Sequence, residues 1–174
     1  MDASLVMTVI GRDRPGLVDS VAQVVAAHGG NWLESRMSRL GGQFAGILRV
    51  QVPVERQAAL EEALRELATT GLAVVVYRDD SVAALPAGKG TVLEVVGQDR
   101  PGIIRQISHA LAEFGVNVEE LESECGSAAM SGEAIFKARF HVSIPPTCKL
   151  EVLRQRIERI AADLIVDVNF AESR

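Results

Sequence analysis

One short stretch occurs twice in this chain, and the repeat limits the folds available to it more than any other feature. Gly11-Arg12-Asp13-Arg14-Pro15-Gly16 returns as Gly97-Gln98-Asp99-Arg100-Pro101-Gly102, an offset of 86 residues. Held from Gly11 to Asn31 against Gly97 to Asn117, that offset gives 8 identities in 21 positions, and Leu17, Val18, Val21, Val24 and Val25 answer to the apolar Ile103, Ile104, Ile107, Ala110 and Leu111. A sequence of 174 residues that repeats itself at about half its length is two copies of one small unit. Each copy is near the lower end of the usual domain size, so packing against a further surface, including self-association, is expected.

The local chemistry of the repeat places it between a strand and a helix. An apolar run precedes it (residues 5–10 and 92–96) and a segment with helical apolar spacing follows. Proline suits a first helical position, and Asp13 and Asp99 stand where a side chain can accept hydrogen bonds from the free N–H groups of the first turn. The glycine after each proline leaves room for close approach to the backbone, and the positive helix end favours a carboxylate. Such a turn also forms with no ligand. Asn31 and Asn117 each follow the aspartate by 18 residues and open the next strand. Their amides offer a donor and an acceptor suited to an amino acid, provided that turn and asparagine lie at one end of the sheet.

In chain order, residues 5–10 read as a strand and 16–28 as an amphipathic helix stopped by Gly29-Gly30. Strands at 31–40 and 43–52 flank Gly41-Gly42, a two-residue hairpin signal. A helix at 55–70 and a β-branched strand at 72–78 complete the first copy. The second repeats the order with strand 91–96, helix 102–114, strands 117–125 and 134–144, helix 149–163 and strand 165–170. Its hairpin connection has grown into the small-residue stretch 126–132, expected to be mobile. Residues 1–80 and 91–174 are therefore two domains, and 81–90, with Pro86, Gly88 and Gly90, is the linker.

A βαββαβ order predicts an α+β fold: an antiparallel four-stranded sheet with both helices on one face, the ferredoxin-like arrangement. Two such sheets in tandem can join edge strands into one of eight strands. Hydrophobic residues make up 48% of the chain and aromatic ones 4%, an aliphatic core composition. The net charge of −5 argues against a direct nucleic-acid footprint. No apolar run reaches about 18 residues and no basic-then-apolar leader opens the chain, so a cytoplasmic protein away from membranes is expected. Cys125 and Cys148 are too few for a disulfide framework, and His28, His109 and His141 lack ligand spacing. Neither a Gly-x-Ser-x-Gly nucleophile turn nor a P-loop is present, so neither enzyme activity nor a metal or cofactor is expected.

The Asp-x-Pro-Gly turns, the Gly-x-Asn strand starts and the βαββαβ order resemble the ACT domain, an amino-acid-sensing module, over nearly the whole chain in two copies. The resemblance implies ligand-binding roles for Asp13, Arg14, Pro15, Gly16 and Asn31, and for Asp99, Arg100, Pro101, Gly102 and Asn117. Within the family, Ser35-Arg36-Met37 followed by Leu40-Gly41-Gly42-Gln43-Phe44 is similar to stand-alone tandem regulators that repress glycine cleavage genes. This implies a regulator that senses a small amino acid, glycine or similar, and restrains a LysR-type activator by protein contact. The turn also resembles the front of formyltetrahydrofolate deformylase and of some phosphoserine phosphatases, but no residues remain here for their catalytic domain. A detached regulatory subunit of a biosynthetic enzyme is the alternative.

Overall fold

A computed structural model describes residues 1–79, 88–127 and 134–172. The chain divides into two compact units, Met1–Ala83 and Ala84–Arg174.

The first unit runs β1 (Asp2–Arg12), α1 (Leu17–Ala27), β2 (Asn31–Leu40), β3 (Gln43–Pro53), α2 (Val54–Glu66) and β4 (Leu72–Arg78), with one 3-10 turn, Leu67–Thr70, after α2. Its sheet has the order β2-β3-β1-β4 with every neighbour antiparallel. The second unit repeats this as β5 (Lys89–Gln98), α3 (Ile103–Glu113), β6 (Asn117–Ser127), β7 (Ala134–Ile144), α4 (Leu150–Leu164) and β8 (Val166–Glu172), in the order β6-β7-β5-β8. Both units are thus the expected βαββαβ. Each unit has its own sheet of four strands.

Alternation explains which side of each sheet is covered. Leu5, Met7 and Val9 of β1 and Leu48, Val50 and Val52 of β3 fall on one face and are buried against Leu17, Val21 and Val25 of α1 and Leu60 and Leu64 of α2. In the second unit Leu93, Val95, Phe140 and Val142 meet Ile107 and Leu111 of α3 and Leu153 and Ile157 of α4. The i, i+4 spacing of Leu17, Val21 and Val25 keeps one helical stripe on the sheet, at roughly 1.5–3 kcal/mol for each large side chain fully buried.

Several boundaries move from their expected places for one reason. β1 begins at Asp2 and β5 at Lys89, before their apolar runs, because the ladder with β3 and β7 is made by backbone groups. Lys89 and Gly90 therefore belong to the strand and not to a linker; residues 80–87 lie outside the described ones. Likewise Gly126 and Ser127 extend β6, and 128–132 of the expected mobile loop lie outside the described residues. Gly41 and Gly42 have φ of 57° and 76°, as a primed two-residue hairpin turn requires. Both edge strands β2 and β6 carry a register shift at the same place, between Trp32 and Glu34 and between Val118 and Glu120.

Candidate functional site

The β1–α1 turn sits at the hairpin end of the first sheet. The Asp13 backbone N–H donates to the Gly42 carbonyl at 2.9 Å, tying the turn to the β2–β3 hairpin. The Asp13 carboxylate does not cap α1; no side chain does. It faces Arg39 near the end of β2 instead, with Nη1 3.4 Å from Oδ2. Pro15 is not the first helical residue either. Gly16 is the N-cap, in the left-handed region at φ 90° and ψ 3°, and the helix starts at Leu17. Proline followed by glycine at such angles is the chemistry of a type II turn. Since a Cβ on Gly16 would meet nothing within 4 Å, backbone conformation and not crowding accounts for the glycine.

The arginine of the motif is already engaged. Arg14 Nη2 donates to the Thr70 carbonyl at 2.9 Å, stapling the turn to the 3-10 segment ahead of β4. Beside this staple lies a cleft of about 570 Å³, lined among others by Asp13, Gly16, Leu17, Val18 and Phe44. Leu17, Val18, Ala22 and Phe44 make part of its lining apolar, Asp13 and Asp19 add carboxylates and Arg14 a guanidinium, and the N–H groups of the first turn of α1 open nearby. That combination of charge, N–H donors and apolar surface suits a small zwitterion.

The second copy keeps the backbone and changes the side chains. Asp99 N–H donates to the Ala134 carbonyl at 2.9 Å, the counterpart of the bond from Asp13. Gly102 is the N-cap of α3 at φ 97°, again without a side-chain cap. Arg100 Nη2 reaches Gln98 Oε1 at 3.1 Å, so it too holds its own turn. At the position matching Arg39, the offset of 86 places Cys125, which pairs with Phe136 as Arg39 pairs with Phe44. The Cys125 thiol has its pKa raised by desolvation, by a hydrogen bond to Asp99 and by that carboxylate's charge. An ion pair in one copy is thus a thiol–carboxylate contact in the other.

The asparagines do not join these turns within a unit. Asn31 pairs in register with Gln51, whereas Arg12, next to Asp13, pairs with Gln43. The two levels are 51 − 43 = 8 residues apart along β3, roughly 27 Å at 3.4 Å per residue. Asn117, opposite Ser143, is likewise far from the Gln98–Ile135 level of its own turn. The reason is direction: β1 and β2 both run antiparallel to β3, so β2 starts at the end of the sheet where β1 starts. Sequence reasoning missed Arg39 and Phe44, which stand where Asn31 was expected. The Gly41-Gly42 hairpin carried that signal, since a two-residue turn returns the end of β2 beside β1. Among the described residues no group of three or more His, Cys, Asp or Glu can hold a metal, and no helix is long and apolar enough to cross a membrane.

Comparison with known proteins places this geometry. Models of the ACT domain match residues 3–77 and 91–136. The chain is 24% identical over 161 residues to the glycine cleavage system transcriptional repressor of Escherichia coli, covering 92% of this chain and 85% of the repressor. It is also 24% identical over 169 residues to a phosphoserine phosphatase of Mycobacterium tuberculosis, covering 95% of this chain and 40% of that enzyme. This chain thus spans well under two thirds of the phosphatase. A solved structure of an unidentified protein from Galdieria sulphuraria is 30% identical, with each chain fully covered and a TM-score of 0.84. Two matched segments and a full-length structural likeness agree: the chain belongs to the ACT-domain family and carries two such domains in tandem.

Proposed function

We propose that this protein is a non-enzymatic, cytoplasmic regulator that binds a small amino acid, glycine or similar, and represses glycine cleavage genes by contacting a LysR-type activator. The observation that carries the reading is the cleft beside Asp13 and the start of α1. In it the ligand ammonium meets the Asp13 carboxylate and the ligand carboxylate meets the helix N–H groups, with Leu17, Val18 and Phe44 as the apolar lining. The relationship to the Escherichia coli repressor over most of both chains supports the regulatory role. Arg14 and Arg100 hold the turns, and Pro15, Gly16, Pro101 and Gly102 shape them. Asp99 serves a second site whose wall is Cys125, and Asn31 and Asn117 serve through a neighbouring copy, the protein acting as a homo-oligomer.

The test is a thermal-shift screen against the proteinogenic amino acids, glycine and serine foremost. Ligand at about 100 times its dissociation constant stabilises the native state by roughly 2.7 kcal/mol, a clear rise in Tm. Asp13→Ala should abolish a selective rise with little effect on the unliganded Tm. A shift that survives this substitution places the ligand elsewhere. If no amino acid shifts the protein, the sensing role is wrong. The likeness to the phosphatase favours one second reading, a detached regulatory subunit of a biosynthetic enzyme. A biosynthetic enzyme, and not a LysR-type activator, would then co-purify with the chain.

A further inference from the structure

The two units have opposite surfaces on the sheet face away from the helices. Strand register gives the map directly. In the first unit the cross-strand rows are Glu34-Arg49-Val6-Tyr77, Arg36-Ile47-Thr8-Val75 and Ser38-Ala45-Ile10-Ala73. In the second the matching rows are Glu120-His141-Val92-Ala171, Glu122-Arg139-Glu94-Asn169 and Glu124-Lys137-Val96-Asp167. Where the second unit has Arg139 bonded to Glu94 at 2.8 Å, the first has Ile47 beside Thr8. Where the second has Lys137 3.7 Å from Glu124, the first has Ala45 beside Ser38. Ile10, Ile47, Val75 and Tyr77 are 52%, 48%, 49% and 60% exposed.

The strand sequences carry the same message independently. Phe136-Lys137-Ala138-Arg139-Phe140-His141-Val142-Ser143 alternates, as a strand with one solvated face does. Leu72-Ala73-Val74-Val75-Val76-Tyr77 is apolar throughout, the pattern of a strand buried on both sides. Its second cover is a layer that the unit itself does not supply.

We propose that the open face of the first unit, centred on Ile47, Thr8 and Val75, is the self-association surface, packing on the same face of a second copy. The inference deepens the self-association proposed above by naming its surface. Charge selects this occupant. Ile47, Thr8 and Val75 carry no charge, the charged residue of their row, Arg36, stands at its β2 end, and at the rim Arg49 already pairs with Glu34 at 3.0 Å and with Asp79 at 3.5 Å. Covering the patch with a second unit's face would strip water from Glu94, Arg139 and Lys137 over the uncharged Ile47, Thr8 and Val75. Area sets the strength. Four strands about 4.8 Å apart and three rows deep give roughly 400 Å² of plan area per copy. With side-chain relief the pair buries about 1,000 Å², the lower end for a specific interface, so the dimer is reversible and concentration-dependent.

Sedimentation velocity across a dilution series tests this on the full chain. The wild type should pass from dimer to monomer over a micromolar range. Thr8→Glu with Ile47→Arg installs the ion pair that the second unit already carries at the matching places, so the fold is retained and circular dichroism is unchanged. This variant should weaken the dimer at least about tenfold. A wild type that stays monomeric at about 100 μM overturns both self-association and this surface. A wild-type dimer that the double variant leaves intact overturns the surface alone. Should the double variant lose its circular dichroism signal, Tyr77→Lys at the exposed end of β4 replaces it, and undiminished dimerisation of that variant overturns the surface equally. Concentration-dependent hydrogen exchange gives a variant-free check: protection should rise with concentration in β1, β3 and β4 and stay constant in β5, β7 and β8.

Discussion

The two units share register, strand order and even the position of the irregularity in the edge strand, yet they differ at several positions on the open face and in the turns. Ile47 and Thr8 become Arg139 and Glu94; Arg39 becomes Cys125; the end of the second helical segment changes from Gly71 to Ile165. On the central strands the buried helix-facing positions stay apolar from Leu48 to Phe140 and from Met7 to Leu93, while Leu5 gives way to the buried Thr91. One face therefore specifies the βαββαβ unit, and the turns and the open face are free to take separate tasks. A duplicated motif is not a duplicated function.

The largest effect that separates the copies lies in their cores, which share no residue. Phe140→Ala should cost the second unit about 3–5 kcal/mol and Leu48→Ala the first about 2–5 kcal/mol. Trp32 is the one tryptophan and packs on the first core, so urea unfolding followed by its fluorescence reports that unit. Leu48→Ala should move the fluorescence transition; Phe140→Ala should move the far-ultraviolet circular dichroism and leave the fluorescence in place. Coincident shifts in both probes would make the cores one cooperative unit.

Smaller, and opposite in sign, is the effect at the end of the second helical segment. Gly71 has φ 85° at no steric cost, whereas Ile165 sits at φ 57° with a branched side chain that is 63% exposed. The left-handed region costs a non-glycine residue roughly 1–2 kcal/mol, and glycine gives back part of that in unfolded-state entropy. Ile165→Gly should therefore stabilise the second unit by about 0.5–1 kcal/mol in denaturant titration. A loss of stability would mean that the side chain makes contacts worth more than its strain.

The smallest effect concerns the turns. Asp99 holds the Cys125 thiol above its ordinary pKa, after desolvation, so Asp99→Asn removes a negative charge and lets the thiol ionise at lower pH. At pH 7.5 alkylation of Cys125, followed by peptide mass spectrometry to separate it from Cys148, should quicken by no more than about threefold. An unchanged rate would detach Cys125 from the turn and weaken its equivalence to Arg39.

The fold was readable because its signals are local. The apolar period, the two glycines of the hairpin and the repeat itself placed β2 at 31–40, β4 at 72–78 and β7 at 134–144 as found. Strand ends such as Asp2 and Gln98 escaped because hydrogen bonding to a neighbour needs no apolar side chain. The site was half readable. Asp13 and Gly16 could be named from the turn, but the pairing of Asp13 with Arg39 across 26 residues depends on where a neighbouring strand ends. Asn31 was misplaced because spacing in the chain does not state direction in the sheet.

The hairpins carry a consequence for how the chain reaches this structure. Two residues separate β2 from β3, while six separate β6 from β7. Closing the longer connection costs about 1 kcal/mol more in chain entropy, roughly a fivefold handicap if strand pairing limits the rate. On that condition the first hairpin is expected to close ahead of the second. Because the Asp13 N–H is held by Gly42 of the shorter hairpin and the Asp99 N–H by Ala134 beyond the longer one, the first turn would then gain its anchor before the second.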